Sequence, residues 1–268
     1  MFEYNSEAPL DIKVGETQQR GSIKVSDITF AGPEGDKRIA AYLVTPEGDG
    51  PFAGIVFAHW YETEASNSNR SQFVDEAVLL AEHGVVSLLV ETMWSRMEWF
   101  NERDRKDDFN ASVAQTVEFR RALDVLLAQP GVELSRVAFV GHDFGGMFGA
   151  VLAGVDNRPA SYVILAATPL FSDWYLFGPP MPEDEQVRYV EELSAIDPQE
   201  QIGRAEGAAF LFQFGRTDPY VPEEKALEFY EAAKGPKRIE WYDIGHNMEI
   251  EAAHRDRVEW LLARLAGR

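Results

Sequence analysis

Short runs of consecutive apolar residues, each followed by an amphipathic stretch, recur along this chain. Residues 54–58, 85–90 and 137–140 are almost wholly apolar, which predicts strands buried on both faces. Residues 162–166, 209–214 and 238–242 supply three further strands. Two earlier ones, 23–30 and 39–44, are joined by a turn containing Gly32, Pro33, Glu34 and Gly35. Between them, Phe73, Ala77 and Leu80 repeat at helical spacing over residues 73–83 and stop at Gly84. A long amphipathic helix over 112–129 ends at Pro130 and Gly131, and a last helix covers 248–265. Buried strands alternating with helices predict an α/β fold: a mostly parallel, eight-stranded sheet with helices on both faces. No repeat, linker or low-complexity segment divides the chain, so residues 1–268 read as one domain with 1–20 as an N-terminal extension.

The apolar run Val137, Ala138, Phe139, Val140 breaks into Gly141-His142-Asp143-Phe144-Gly145-Gly146 and then resumes with helical spacing at Met147, Phe148, Val151 and Leu152. A strand, a tight turn of small residues and a helix form the layout of a nucleophile elbow, which exposes its central side chain above the sheet. The small residues answer a steric need, because a Cβ at Gly141 or Gly145 would collide with neighbouring backbone. The middle position, usually Ser or Cys, is Asp143. In open α/β sheets, functional groups gather at the carboxyl ends of strands. Two more such ends carry suitable groups: Asp218 after residues 209–214, and His246 after residues 238–242. Nucleophile, acid and histidine thus follow one another in the chain order of the α/β-hydrolases.

On these residues the chain resembles the α/β-hydrolase superfamily from about residue 21 to 266, nearest to the dienelactone-hydrolase-like branch. Gly141 to Gly146 matches that branch's elbow with Asp143 in place of Cys, and Asp218 and His246 match its acid and histidine. The aspartate itself resembles the elbows of haloalkane dehalogenases and epoxide hydrolases. Those families usually carry a helical cap, whereas residues 167–207 leave room for little or no cap here, and Phe144 stands where they usually have Trp. The resemblance implies a hydrolase with the catalytic set Asp143, His246 and Asp218, needing no cofactor.

A carboxylate at a helix N-terminus is ionised without a base to activate it. Its most natural reaction is attack on an sp³ carbon bearing halide or epoxide oxygen, giving an alkyl ester on Asp143. Water activated by His246, itself oriented by Asp218, would then hydrolyse that ester, with backbone N–H groups of Phe144 and the Trp60/Tyr61 region as the oxyanion hole. The alternative is a carboxylesterase or lactonase using Asp143 and His246 without an alkyl-enzyme ester. A further alternative is a non-catalytic binding protein on the same fold. Each residue also has a structural use: Asp143 as a helix cap, Asp218 as a turn residue before Pro219, His246 as an incidental loop histidine.

Aromatic residues crowd the loops after the strands and predict an apolar pocket for a small substrate. Trp60, Trp94, Trp174 and Tyr175 are the expected lining, with indole N–H groups to bind halide or hydroxyls to protonate an opening epoxide. Arg70 and Arg96 are expected to pair with Glu62, Glu64 or Asp173 rather than with substrate. His59 and His142 read as positioning residues, and His83 and His254 as surface residues.

Composition narrows the partners. A formal net charge of -20 repels phosphate backbones and anionic membranes. Cysteine is absent, which removes disulfides and thiolate sites and fits a reducing compartment. No metal-ligand spacing, phosphate-cradling loop or dinucleotide fingerprint is present. The N-terminus lacks the features of a signal peptide and no apolar stretch reaches the length of a membrane span, so the expectation is a cytoplasmic protein acting on a small molecule. The oligomeric state leaves no mark in the sequence.

Overall fold

In the computed structural model, which describes residues 1–35 and 37–267, nine strands form one sheet. They are β1 Lys13–Arg20, β2 Ile23–Ala31, β3 Arg38–Thr45, β4 Phe52–Ala58, β5 Val85–Val90, β6 Val132–His142, β7 Ser161–Leu165, β8 Ala209–Gly215 and β9 Lys237–Tyr242. Their order across the sheet is β1-β2-β3-β5-β4-β6-β7-β8-β9. The pairs from β1 through β3 to β5 are antiparallel and all others parallel.

The expected eight strands are therefore nine, because part of the expected N-terminal extension is a strand. β1 is polar and exposed along its whole length, so no apolar alternation announces it. It joins the sheet through backbone pairing with β2 alone, from Lys13 opposite Thr29 to Arg20 opposite Ile23.

The helices are α1 Val74–Ala81, α2 Trp99–Glu102, α3 Asp108–Leu127, α4 Phe144–Val155, α5 Ser172–Tyr175, α6 Glu183–Ser194, α7 Pro198–Ile202, α8 Glu223–Ala232 and α9 Glu251–Leu265. Because successive strand residues point to opposite faces, each central strand feeds two cores. Val56, Leu88, Phe139, Ile164 and Phe212 face α3, α4 and α8. Ile55, Leu89, Val140, Val163 and Leu211 face α1 and α9. Each fully buried side chain of this size contributes about 1.5–3 kcal/mol relative to exposure. Between β7 and β8 the chain makes only α5, α6 and α7, and α7 packs on α4 within the helical layer. Among the described residues no cap domain stands over the sheet.

A buried ion pair ties the second face together. The Arg257 guanidinium on α9 donates to the Glu76 carboxylate on α1 (Nε to Oε1, 2.8 Å) and to Gln213 Oε1 on β8 at 2.8 Å. Burial pushes the Glu76 carboxyl up, but Arg257 and His254 outweigh it and hold it below the usual carboxylate range. Removing one partner of such a pair leaves an uncompensated buried charge. Arg257→Leu is therefore expected to cost about 3–5 kcal/mol in urea denaturation, and adding Glu76→Gln should recover part of the loss. With a depressed folded-state pKa, the pair's stabilisation is present above the unfolded carboxylate range and is lost as pH falls through the folded value. The gap between wild type and Arg257→Leu should narrow in acid.

Candidate active site

The backbone of the elbow is as tight as its sequence implies. A Cβ on Gly141 would lie 2.1 Å from the Gly145 carbonyl oxygen, and one on Gly145 would lie 2.3 Å from that of Ala58. Asp143 between them adopts φ 59° and ψ -122°, a left-handed conformation that costs a non-glycine residue energy and persists only under surrounding constraint. That constraint includes the Asp143 N–H bond to the Leu165 carbonyl on β7, 2.9 Å. The Asp143 carbonyl oxygen accepts from Gly146 N and Met147 N, which starts α4. Its side chain does something other than cap that helix.

Asp143 Oδ2 accepts the backbone N–H of Tyr61 at 2.6 Å, and the Phe144 N–H also stabilises the carboxylate. The two donors expected to form an oxyanion hole therefore converge on Asp143 itself. The other oxygen, Oδ1, lies 3.5 Å from His246 Nε2. His246 Nδ1 lies 2.8 Å from Asp218 Oδ2, and Asp218 Oδ1 is held by the N–H groups of Tyr220 and Val221. The structure thus brings Asp143, His246 and Asp218 into mutual reach, from the ends of β6, β9 and β8.

Burial pushes the Asp143 carboxyl up, and His246 with the two N–H groups only partly opposes this. For His246, burial acts to lower the pKa, but hydrogen bonds and charge from Asp143 and Asp218 prevail and raise it to about 9. The imidazole of His246 is thereby drawn toward its protonated form.

A polar clamp behind the site aligns three loops. Gln72 Oε1 accepts the Trp60 N–H at 2.9 Å, and Gln72 Nε2 donates to His142 Nδ1 at 2.6 Å. His142 Nε2 in turn donates to the His246 carbonyl at 2.8 Å, and the Trp60 indole stacks on the His142 ring. Burial keeps His142 neutral, with its pKa far below the usual imidazole range. The strand end before Tyr61, the elbow and the His246 loop are therefore registered through one glutamine and one histidine. His59 is also a neutral positioning group: burial lowers its pKa to about 4. Its Nδ1–H donates to the Trp60 carbonyl, and its Nε2 accepts from Ser95.

Asp143 and His246 open onto a cavity of about 170 Å³, walled by Tyr61, Glu62, Thr63, Phe100, Phe144, Trp174, Phe177 and Tyr220. Of the four rings expected to line it, Trp174 does. Trp60, Trp94 and Tyr175 do not, because each is used in packing. Trp60 covers His142, Trp94 stacks on Phe148, and the Tyr175 hydroxyl is buried against Ser112. No expected indole donor is free, since Trp60, Trp94 and Trp174 donate to Asn67, the His59 carbonyl and the Tyr220 carbonyl. Arg70 pairs with Asp27 and Arg96 with Glu102, not with the expected Glu62, Glu64 or Asp173. His254, expected at the surface, is half-exposed and touches Glu76.

Glu62, Thr63 and Tyr220 were missing from the sequence expectation. Glu62 and Thr63 directly follow Tyr61, the expected oxyanion-hole residue, and Tyr220 is two positions past Asp218, so proximity to those residues was the available signal. Among the described residues no cluster of His, Asp and Glu could hold a metal ion, and no helix is long and apolar enough to cross a membrane.

No protein-family model matches this chain, and no curated protein matches it in sequence. Solved structures do resemble it. An acetyl xylan esterase from Paenibacillus sp. R4 superposes with a TM-score of 0.77 at 20% identity, covering 96% of this chain and 90% of that one. Acetyl xylan esterase 1 from Thermoanaerobacterium sp. JW/SL YS485 gives 0.75 at 15% identity over 96% and 89% of the two chains. A dienelactone hydrolase-like protein from Klebsiella pneumoniae gives 0.65 at 15% identity over 92% and 100%. The likeness establishes the α/β-hydrolase fold. It agrees with the fold expected from the sequence.

The charge arrangement has a direct test. Asp143→Asn removes one of the two carboxylates beside His246, so the imidazole midpoint followed by NMR should fall by more than one pH unit from near 9. An unchanged midpoint would contradict the pairing. Because the wild-type value is raised, the stabilisation from His246 is fully present below about pH 6.5 and is lost as pH rises through about 9.

Proposed function

We propose that this protein is a hydrolase of small carboxylic esters or lactones, with Asp143 as the base that activates water and His246 as the acid that protonates the leaving oxygen. The observation that carries this reading is the side-by-side placement of Asp143 Oδ1 and His246 Nε2 at the cavity wall, with Nδ1 anchored on Asp218. A buried carboxylate is a stronger base than an exposed one, and a doubly paired imidazole arrives carrying the proton that an alkoxide needs.

The proton balance closes. Asp143 takes a proton from water as its oxygen adds to the acyl carbon. Protonation discharges the Asp143 carboxylate and weakens its hold on the Tyr61 and Phe144 N–H groups, which then turn to the substrate oxyanion. The acyl C–O bond breaks, His246 Nε2–H passes to the departing alkoxide, and the neutral imidazole recovers a proton from Asp143. The products are one acid and one alcohol. The esterase neighbours support this reading, as does the lack of a free indole donor for halide among the expected tryptophans.

One observation favours a second reading. Asp143 Oδ2 already sits on Tyr61 N, the position it would need in the hydrolysis of an alkyl ester formed through Oδ1. In that route, esterification neutralises Asp143, so His246 loses a partner and becomes a base for the attacking water. The Tyr220 hydroxyl at the cavity wall would protonate an epoxide oxygen.

Single-turnover hydrolysis in heavy-oxygen water separates the two. Label confined to the product supports direct attack by water, and label in the Asp143 carboxylate, read by mass spectrometry of the protein, supports the alkyl ester. In both routes Asp143→Ala should lower turnover by about a thousandfold or more. His246→Gln should accumulate a covalent adduct only in the second. Full activity in Asp143→Ala would end both.

A further inference from the structure

The cavity wall combines six aromatic residues (Tyr61, Phe100, Phe144, Trp174, Phe177 and Tyr220) with Glu62, whose Oε1 lies 3.4 Å from both Thr63 Oγ1 and Glu64 N, and no lysine or arginine is among its lining residues. His246 is the one cationic group there, and its charge is already answered by Asp143 and Asp218. Cations close to the site are engaged by protein groups, Arg105 by the Pro179 and Phe177 carbonyls and Arg103 by the face of Phe100 as well as by a carboxylate. Arg103 pairs with Asp108, Arg96 with Glu102 and Lys225 with Asp173. Two of the lining residues, Phe177 and Tyr220, are 48% and 46% exposed, so they stand at the mouth, partly open to solvent.

Aromatic faces carry negative quadrupole potential and hold ammonium groups that have left water behind. A carboxylate on the same wall adds attraction, and low-dielectric walls strengthen both. A substrate bearing a carboxylate would meet Glu62 on a wall that offers no lysine or arginine of its own. The chain as a whole, at -20, draws cations toward its surface. From these features we infer that the substrate class is small esters carrying an ammonium group, seated against Glu62 and the rings of the mouth with the ester carbonyl at Asp143. This inference rests on the ester reading for its turnover but not for its binding site.

Two measurements test it separately. The first is a titration with tetramethylammonium, followed by tryptophan fluorescence and repeated with Trp174→Phe to assign the signal. Saturable binding by the wild-type protein that weakens about tenfold in Glu62→Gln is expected, and an absence of binding by the wild type overturns the proposal. The second compares kcat/KM for the acetate ester of choline with that for the uncharged isostere, in which carbon replaces the ammonium nitrogen. The charged ester should be favoured by about tenfold or more. That preference should shrink in Glu62→Gln and Phe177→Ala, and it should shrink with added salt as steering is screened. A ratio of one or below in the wild type overturns the proposal even if both esters are cleaved. If neither ester turns over, the ester reading fails, and the tetramethylammonium titration still decides whether the ammonium site exists.

Discussion

A close approach between two backbones underlies the site, and the chemistry depends on it. The first turn of α4 lies so near the end of β4 that only a hydrogen fits at Gly145 against the Ala58 carbonyl. This contact brings the chain after β4 over the elbow and puts the Tyr61 N–H within 2.6 Å of a side chain 82 residues away. Sheet register does the rest. β6 and β7 pair through His142 and Leu165, so the strained peptide of Asp143 is tied to a neighbouring strand before the helix begins. The left-handed backbone at Asp143 is over-determined from both sides, which is the condition under which such strain persists.

Upon that frame the charges arrange themselves in a line: Asp218, His246, Asp143, then two backbone donors. Each member satisfies the next, and burial makes each dependent on its neighbour. Asp218 has backbone N–H groups behind it, and His246 is held by its own carbonyl through His142 and Gln72. The polar groups behind the site are thus accounted for by hydrogen bonds, and the freedom to exchange partners is concentrated at Asp143. That is the group on which both proposed reaction routes turn.

Much of this was legible in the sequence, for a physical reason. Strands buried on both faces must be written as apolar runs, and an elbow must be written with small residues, so β4 to β8 and Asp143 announce themselves. Asp218 and His246 follow from their position after strand ends. β1 was invisible because an exposed edge strand needs only backbone partners. The rings were the weak point. Trp60, Trp94 and Tyr175 occupy loops at the correct end of the sheet, but periodicity does not say which side of a loop faces the cavity. Their polar atoms found buried protein acceptors or partners instead. Glu62 and Thr63 were passed over because a polar pair in a loop has no pattern of its own.

The Asp143 carboxylate resting on the Tyr61 and Phe144 donors has one more consequence. Such a pair of N–H groups binds carboxylate anions, and a carboxylic acid released by hydrolysis is one. Here the protein's own side chain fills that seat. A departing acid anion finds the seat taken and meets a like charge beside it. On the proposed ester reading, such a site would expel its acidic product.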